Sequence, residues 1–452
     1  MKESYKIKNP DSGIYICTYN TDRFKTSRIS VNLVLPLKEE SGDQAILAYL
    51  LSRSCREYPG YLEMNKRLAE LYGATLSPSV VKMGENQVLR IKMTVLDNRF
   101  ALEKDDLLLQ GADLLMKVIF NPLLDGEAFT ESEVEKEKRL FKERIRNRKN
   151  DKRKFALLRA KEIMFQGEAY VYSNLGSEEA VDTFTKESLY KTWKEVISTA
   201  GIYVNAVGQV ESEKLESLIL SYTQNISRKE PVTFHTEVLE KVEEQKKVIE
   251  EQDVKQGKLV LGFRTGQHGL PKDCLTDGFG LHATPEQRKL IKASNKEEAI
   301  IRVMADLLGG GTYSRCFMNV REKMSLCYYC SAIYESRKGV VIVQSGVETT
   351  NAEKASEAIK EQLNLMAAGE VDEETLLKAR RSFKDGFSSI SDTPGEIEEW
   401  IFANLGRAPF MTPEEFAEGL FSVTVSDVIE AAGKLTLDTE YLLAGKETED
   451  GI

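Results

Sequence analysis

The sequence has 452 residues, more than a single hydrophobic core usually organises, so its length predicts several packed units. Its 41% hydrophobic and 30% charged residues and its net charge of -10 are typical of a globular protein that is not a general nucleic-acid binder. The N-terminus lacks a signal-peptide core and no window approaches the roughly 18 apolar residues of a membrane span, so we expect a cytoplasmic protein with no membrane partner.

Helices and strands alternate along the first part of the chain. A capping-box pattern that begins at Ser41 predicts the start of an amphipathic helix, and a second one at Thr130 predicts the start of a longer helix. Apolar residues in 88–95 and 201–208 predict strands. A sheet packed with helices is therefore expected in this part of the chain.

The helix after Thr130 has an unusual distribution of charge. Twelve Lys or Arg residues fall within 138–161, after several acidic residues at the helix start. A basic stretch of this kind is one signature of RNA binding, but acids at the start and bases toward the end also complement the helix dipole. Because the whole chain is acidic, we predict a solvated helix face and expect no nucleic-acid partner, with RNA binding as the alternative.

The chain also matches itself at one displacement. A shift of 254 positions, the difference between 321 and 67, places residues 44–54 over 298–308 and residues 64–67 over 318–321. A capping-box pattern at Ser294 predicts the start of the second copy of the helix. Two separate matches at one shift indicate a duplicated unit, with chance similarity between amphipathic helices as the alternative.

The duplication defines the predicted organisation. Residues 227–252 are rich in Lys and Glu and have little apolar periodicity, so we predict that they link the two halves. The expected fold class is α+β, with residues 1–226 and 253–452 as homologous halves, each an antiparallel sheet packed with helices.

Two stretches resemble the insulinase, pitrilysin and mitochondrial-processing-peptidase family of zinc peptidases. Residues 169–208 resemble the end of that family's first half, and residues 307–328 resemble the glycine loop, helix and strand of its second half. The resemblance covers nearly the whole chain and implies that the halves form a clamshell. It is closest to a zinc-less subgroup from Gram-positive bacteria, whose members are named for an association with the modification of elongation factor P.

The zinc-binding positions of that family are replaced in this chain. Active members carry His-x-x-Glu-His on the first long helix, where the two imidazoles share one face and hold zinc while the Glu activates water. The matching residues are Tyr49, Ser52 and Arg53. Tyr is a poor ligand when neutral, Ser has no useful basicity and Arg carries a permanent positive charge. We therefore expect no bound zinc and no peptidase activity from this chain alone.

The family's third ligand is a Glu on a later helix. The most natural alignment puts Arg144 at this position, with Glu143 beside it as the alternative. His268, Cys274 and His282 have a spacing that matches no zinc site, so we interpret them as solvated loop residues. An active peptidase with unorthodox ligands is the alternative function.

An Arg and a Tyr from the second half hold the substrate backbone in the family, and they match Arg321 and Tyr328. The guanidinium group donates several hydrogen bonds and the phenol hydroxyl can polarise a carbonyl, which suits a peptide or an unfolded protein segment. The resemblance thus implies the substrate-binding or regulatory subunit of a heteromeric peptidase, with zinc only in a homologous partner. A solvated helix residue is the alternative for Arg321, and a non-enzymatic protein- or RNA-binding module is the alternative for the chain.

Family substrates also add a strand to a sheet edge in the first half. The matching stretch, residues 72–79, contains Pro78, which has no backbone N–H to donate. We therefore regard this edge as doubtful for substrate binding.

Overall fold

The computed structural model of the protein describes residues 4–103, 105–267, 279–407 and 409–445. Within these residues the first half contains one sheet, with strands ordered along the chain. They are β1 (Ser4–Asp11), β2 (Ile14–Asn20), β3 (Thr26–Pro36), β4 (Thr75–Met83), β5 (Asn86–Leu96) and β6 (Gly201–Gly208). Their spatial order is β1-β2-β6-β3-β5-β4, so that β4 lies at an edge.

The second half contains another sheet. Its strands are β7 (Lys246–Gln252), β8 (Gly257–Arg264), β9 (Tyr329–Glu335), β10 (Val340–Val347) and β11 (Thr436–Gly445). Their spatial order is β7-β11-β8-β10-β9.

Helices connect the strands in both halves. Those of the first half are α1 (Gly42–Leu51), α2 (Tyr61–Glu70), α3 (Leu107–Phe120), α4 (Glu131–Asn150), α5 (Lys152–Met164), α6 (Glu178–Asp182), α7 (Lys186–Thr199) and α8 (Ser212–Thr223). Those of the second half are α9 (Pro285–Gly309), a π-helix (Cys316–Lys323), α10 (Ala352–Ala367), α11 (Glu373–Ser389), α12 (Pro394–Ala403), α13 (Pro413–Phe421) and α14 (Val425–Lys434). Among the described residues, none of these helices is long and apolar enough to span a bilayer.

The two sheets repeat one pattern of pairing. The series β2-β6-β3-β5-β4 has one parallel pair followed by three antiparallel pairs, and β7-β11-β8-β10-β9 has the same directions. The predicted α+β class and the two homologous halves are confirmed. Each sheet is mainly antiparallel as predicted, and its one parallel pair arises because the last strand returns through helices to lie beside the first.

Each sheet is covered by helices of its own half on one face and by a helix of the other half on the opposite face. In the first half, α1, α3 and α7 pack on one face, while Ile401 and Phe402 of α12 pack with Tyr203 on the other. In the second half, α5 takes the equivalent place and buries Ala156 and Ala160 against β8 and β11. The two halves therefore exchange helices, and each sheet has apolar residues on both faces.

This exchange corrects the solvated face predicted for the basic stretch 138–161. Arg159 Nε lies 2.8 Å from Glu250 Oε1, and Lys161 Nζ lies 2.5 Å from Glu335 Oε1. Both acids belong to strands of the second half. Part of the basic stretch therefore forms an interface between the halves, because α5 packs across the second sheet.

A buried group of charges also joins the halves. Lys338 is fully buried at the turn between β9 and β10, and its Nζ contacts the carboxylate of Glu85 and lies 2.8 Å from Glu168 Oε2. Arg264 of β8 donates to the other oxygen of Glu168 at 2.8 Å. These pairs lie where water is excluded, so removal of either partner would leave an uncompensated charge.

Two predicted helix starts are wrong. The helix expected from Ser294 begins at Pro285, because Thr284 and Gln287 form a capping box with proline at the first helical turn. At α4, the side chain of Thr130 makes no capping hydrogen bond. The carboxylate of Glu133, which the pattern assigned to the cap, instead binds Arg53.

The predicted linker contains ordered structure. Residues 246–252 form β7, which pairs with β11. Upstream, Phe234 is only 4% exposed and its ring centroid lies 5.4 Å from that of Tyr203. The segment between the halves is thus packed on both of them, and the exact boundaries 226 and 253 stay a prediction.

Candidate functional site

The residues aligned with the zinc ligands meet where α1 and α4 pack together. Arg53 follows the end of α1 and points to α4, where its Nε lies 2.6 Å from Glu133 Oε2. Its Nη1 lies 3.3 Å from Glu137 Oε2. Glu133 and Glu137 are four residues apart and therefore share one face of α4, which is why a single guanidinium reaches both.

Arg144 completes this group from two turns further along α4. Its Nη1 lies 2.7 Å from Glu137 Oε1, and its guanidinium carbon lies 4.1 Å from the centroid of the Tyr49 ring. Tyr49 also packs against Phe141 at 5.7 Å between ring centroids. We call Tyr49, Arg53, Glu137 and Arg144 the ion-pair cluster.

The cluster settles into a fixed arrangement of charge. Glu137 is 1% exposed, and burial raises the pKa of its carboxyl although Arg144 and Arg53 act to lower it. Burial likewise raises the pKa of Tyr49, so its phenol remains protonated at neutral pH. The site thus offers two guanidinium cations, one neutral phenol and one buried acid already shared between the cations.

These groups do not fit a zinc ion. A dication at this position would meet two permanent positive charges, and neither guanidinium has a lone pair to donate. The Ser52 hydroxyl, at the position of the catalytic Glu, donates to the backbone oxygen of Ala48 at 2.8 Å and cannot act as a base near neutral pH. The cluster replaces the metal by ion pairs and has no group to activate water.

The alternative ligands fare no better. Glu143 lies on the exposed face of α4 beside Arg146 and Asn147, whereas Arg144 faces the cluster. His268 and Cys274 lie outside the described residues. Across the parts of the chain that the structure describes, no group of three or more His, Cys, Asp or Glu side chains could hold a metal ion.

We therefore predict that the protein purified without added metal contains well below one zinc per chain. Elemental analysis by inductively coupled plasma mass spectrometry would measure this, and added zinc is expected to leave the thermal unfolding midpoint unchanged. A ligand present at a hundred times its Kd would stabilise the fold by about 2.7 kcal/mol. A zinc-dependent rise in the midpoint that disappears in Glu137→Gln would contradict the prediction.

Arg321 and Tyr328 lie in the second half and share no contact with the ion-pair cluster. Arg321 belongs to the π-helix, a rare conformation that often occurs at functional sites. Its Nε lies 3.4 Å from Glu322 Oε1, and its guanidinium carbon lies 4.7 Å from the Phe317 ring centroid. Tyr328 is 51% exposed and donates to Glu348. Both side chains therefore have local partners and remain accessible.

The edge strand β4 is modified where the family binds substrate. Pro78 lies within β4 opposite Ile91 of β5, and the Asn174 side-chain amide donates to the backbone oxygen of Val80 at 2.9 Å. One position of the strand lacks a donor and another acceptor is already in use. Addition of a peptide strand along β4 is accordingly hindered at these positions.

Sequence reasoning missed Glu133 and Glu137 as the partners of Arg53. The available signal was their spacing, because Glu133, Glu137 and Arg144 recur at four and seven residues on one helix face. It could not show that this face meets Arg53, which lies 80 residues from Glu133 in the sequence.

Comparison with known proteins gives one consistent result. The family model described as the peptidase M16 inactive domain matches residues 183–383. A protein of Bacillus subtilis (strain 168), described as "Probable inactive metalloprotease YmfF", is 30% identical over 443 residues, covering 98% of this chain and 98% of that protein.

Solved structures share the same fold. A conserved protein from Enterococcus faecalis V583 matches with a TM-score of 0.83 at 22% identity, covering 99% of this chain and 100% of that chain. A peptidase M16 inactive domain from Pseudomonas fluorescens matches with a TM-score of 0.72 at 16% identity, covering 100% of both chains. At these identities the likeness concerns the fold alone.

Proposed function

The chain belongs to the M16 family of insulinase-like peptidases and is a non-catalytic homologue in it, and from this we propose that it is the substrate-binding or regulatory subunit of a heteromeric zinc peptidase. The family predicted from the sequence is confirmed, as is its zinc-less subgroup. In the proposed complex, zinc and the water-activating Glu lie in a homologous partner chain. This chain contributes Arg321 and Tyr328, which hold the backbone of a peptide or an unfolded segment.

The observation that carries the proposal is the contrast between the two halves. The first half closes its own metal position with the ion pairs of Arg53 and Arg144 to Glu137. The second half leaves Arg321 and Tyr328 accessible, with partners that all lie in the same half. A pair of peptide-binding side chains that serves no metal site of its own chain suits a site completed by another chain.

The nucleic-acid alternative has less support. Cations of the stretch 138–161 that an RNA-binding face would present are paired within the protein, including Arg159 with Glu250 and Lys161 with Glu335. Lys142 and Arg146 likewise contact acids of the first half. Phosphate binding would have to compete with these ion pairs.

Purification of the tagged protein from its native cell tests the proposal. We expect a second chain of similar size at equal stoichiometry, identified by mass spectrometry and carrying His-x-x-Glu-His. An unrelated tagged protein expressed at the same level is the control for non-specific capture. Recovery of the protein alone or as a homodimer would contradict the catalytic-pair arrangement.

The finer parts of the proposal concern the cell. An association with elongation factor P and a cytoplasmic location stay predictions from the resemblance. Peptidase activity of the purified complex toward elongation factor P, followed by mass spectrometry, would test the first.

A further inference from the structure

A cleft lies in the first half beside the edge strand β4, and none of the residues of the ion-pair cluster lines it. It encloses about 740 Å³. Small-molecule and peptide pockets typically have volumes of roughly 300–1,000 Å³. Its walls come from β4, the end of α4, α5 and residues 170–179, and much of them is apolar. The apolar side chains include Val80, Val81, Ile145, Phe155, Leu158 and Val171.

Two cations in this cleft have only neutral hydrogen-bond partners among the described residues. Lys82 Nζ donates to the backbone oxygens of Tyr170 at 2.7 Å and Tyr172 at 2.8 Å. Arg148 Nη1 donates to Asn174 Oδ1 at 2.9 Å. Lys82 therefore keeps one N–H group and Arg148 keeps several for a further acceptor.

The other cations of the cleft are neutralised. Arg159 contacts Glu162 and Glu250, and Lys161 contacts Glu335. The positive charge of Lys82 and Arg148 is in contrast left without a carboxylate in contact. Because cations removed from water are costly unless an anion pairs with them, this end of the cleft favours an anionic group.

The electrostatics of Lys82 agree with this geometry. Burial lowers the pKa of its amine to about 8, and the charges of Lys161 and Arg148 lower it further against the opposing effect of Glu335 and Glu162. Burial also lowers the pKa of Arg148. The two cations are thus partly desolvated and close enough to repel each other.

We propose that this cleft binds the C-terminal end of a peptide with apolar last residues, with the terminal carboxylate held by Lys82 and Arg148. The apolar walls suit the last side chains, and the two donors suit one carboxylate. Acidic side chains of Glu39, Glu40 and Glu179 also line the cleft, and they oppose polyanions such as nucleic acids. This inference goes beyond the subunit role and does not depend on a partner chain.

The first test compares two forms of one peptide on the full chain. A fluorescein-labelled decapeptide ending in Val, Leu and Phe would be used with a free C-terminal carboxylate and with a C-terminal amide, and fluorescence anisotropy would measure Kd. We expect the free acid to bind about tenfold more tightly or better, as hydrogen bonds to a charged group contribute. Equal affinity of the acid and the amide, or no binding of either, would overturn the proposal.

Variants of the two cations sharpen the test. Lys82→Met and Arg148→Met are each expected to weaken binding of the free acid about tenfold and to leave binding of the amide unchanged. Arg139→Met, which removes an exposed charge from α4 outside the cleft, is the matched control and should bind as the original chain does. If both cleft variants melt at the original temperature and bind the free acid normally, the carboxylate is not held there.

The pH dependence identifies Lys82 independently. The peptide carboxylate stays charged between pH 7 and 9, whereas Lys82 loses its proton near pH 8. Affinity should therefore fall as the pH rises through this range in the original chain and in Arg148→Met, but not in Lys82→Met. Sodium decanoate distinguishes a fatty acid from a peptide: if decanoate binds and the free-acid peptide does not, the peptide assignment is wrong.

Discussion

Replacement of Arg321 by Ala together with Tyr328 by Phe is expected to lower kcat/KM of the purified complex about a hundredfold or more for a peptide substrate. Arg321 can donate to a substrate carbonyl and Tyr328 can polarise one, and both side chains are accessible. The double variant should still assemble, because it removes one charge and one hydroxyl from the surface. Steady-state kinetics of the reconstituted complex, with assembly checked by size-exclusion chromatography, would measure the effect.

A neighbouring charge provides the control for this variant. Lys323 is exposed at the end of the same π-helix, and Lys323→Ala should leave turnover within about twofold, since surface charges away from a reacting centre contribute little. Unchanged turnover in the Arg321 and Tyr328 double variant would remove their role in peptide binding. Loss of the complex itself would reassign the two residues to the subunit interface.

The second large effect is expected from Arg90, which ties the first sheet to α12. Its Nη2 lies 2.6 Å from Glu398 Oε2, and Glu398 is fully buried. Ser30 and Asn205 donate to the other oxygen of Glu398 at 2.5 and 3.2 Å. The guanidinium carbon lies 3.6 Å from the Phe402 ring centroid. This pair therefore joins the two halves inside a desolvated interface.

Arg90→Met is expected to lower the free energy of unfolding by about 3–5 kcal/mol, because it leaves the Glu398 carboxylate buried without a counter-ion. Urea denaturation followed by tryptophan fluorescence would measure the loss, since Trp400 lies on α12 itself. Arg90→Met combined with Glu398→Gln should be more stable than Arg90→Met alone, as the unpaired charge is then gone.

Lys92 supplies the matched comparison on the same strand. It pairs with Glu399 at 2.9 Å, but that carboxylate is 48% exposed. Lys92→Met should therefore cost no more than about 1 kcal/mol. Similar losses in Arg90→Met and Lys92→Met would mean that burial of Glu398 does not decide the strength of this contact.

Much of the protein could be predicted from local sequence. The duplication was visible because a helix and the segment after it match at one shift, and the replacement of zinc ligands was visible because a motif is a fixed spacing on one helix. Tyr49, Arg53 and Arg144 could be assigned in this way before any contact was known. The partner chain and its zinc stay predictions of the same kind, since they rest on the family pattern.

The sequence by itself determined the two α+β halves, the family and the loss of metal-binding side chains, because these depend on periodicity and residue type within single elements. Only the tertiary structure decided that α5 and α12 cross to the opposite sheets, that Arg53 meets Glu133 and Glu137, and that Lys82 and Arg148 share a cleft. Periodicity shows that a helix has an apolar face but not which surface will cover it. The partner of a buried charge is chosen by packing between segments far apart in the chain, and that packing is decided by the fold as a whole.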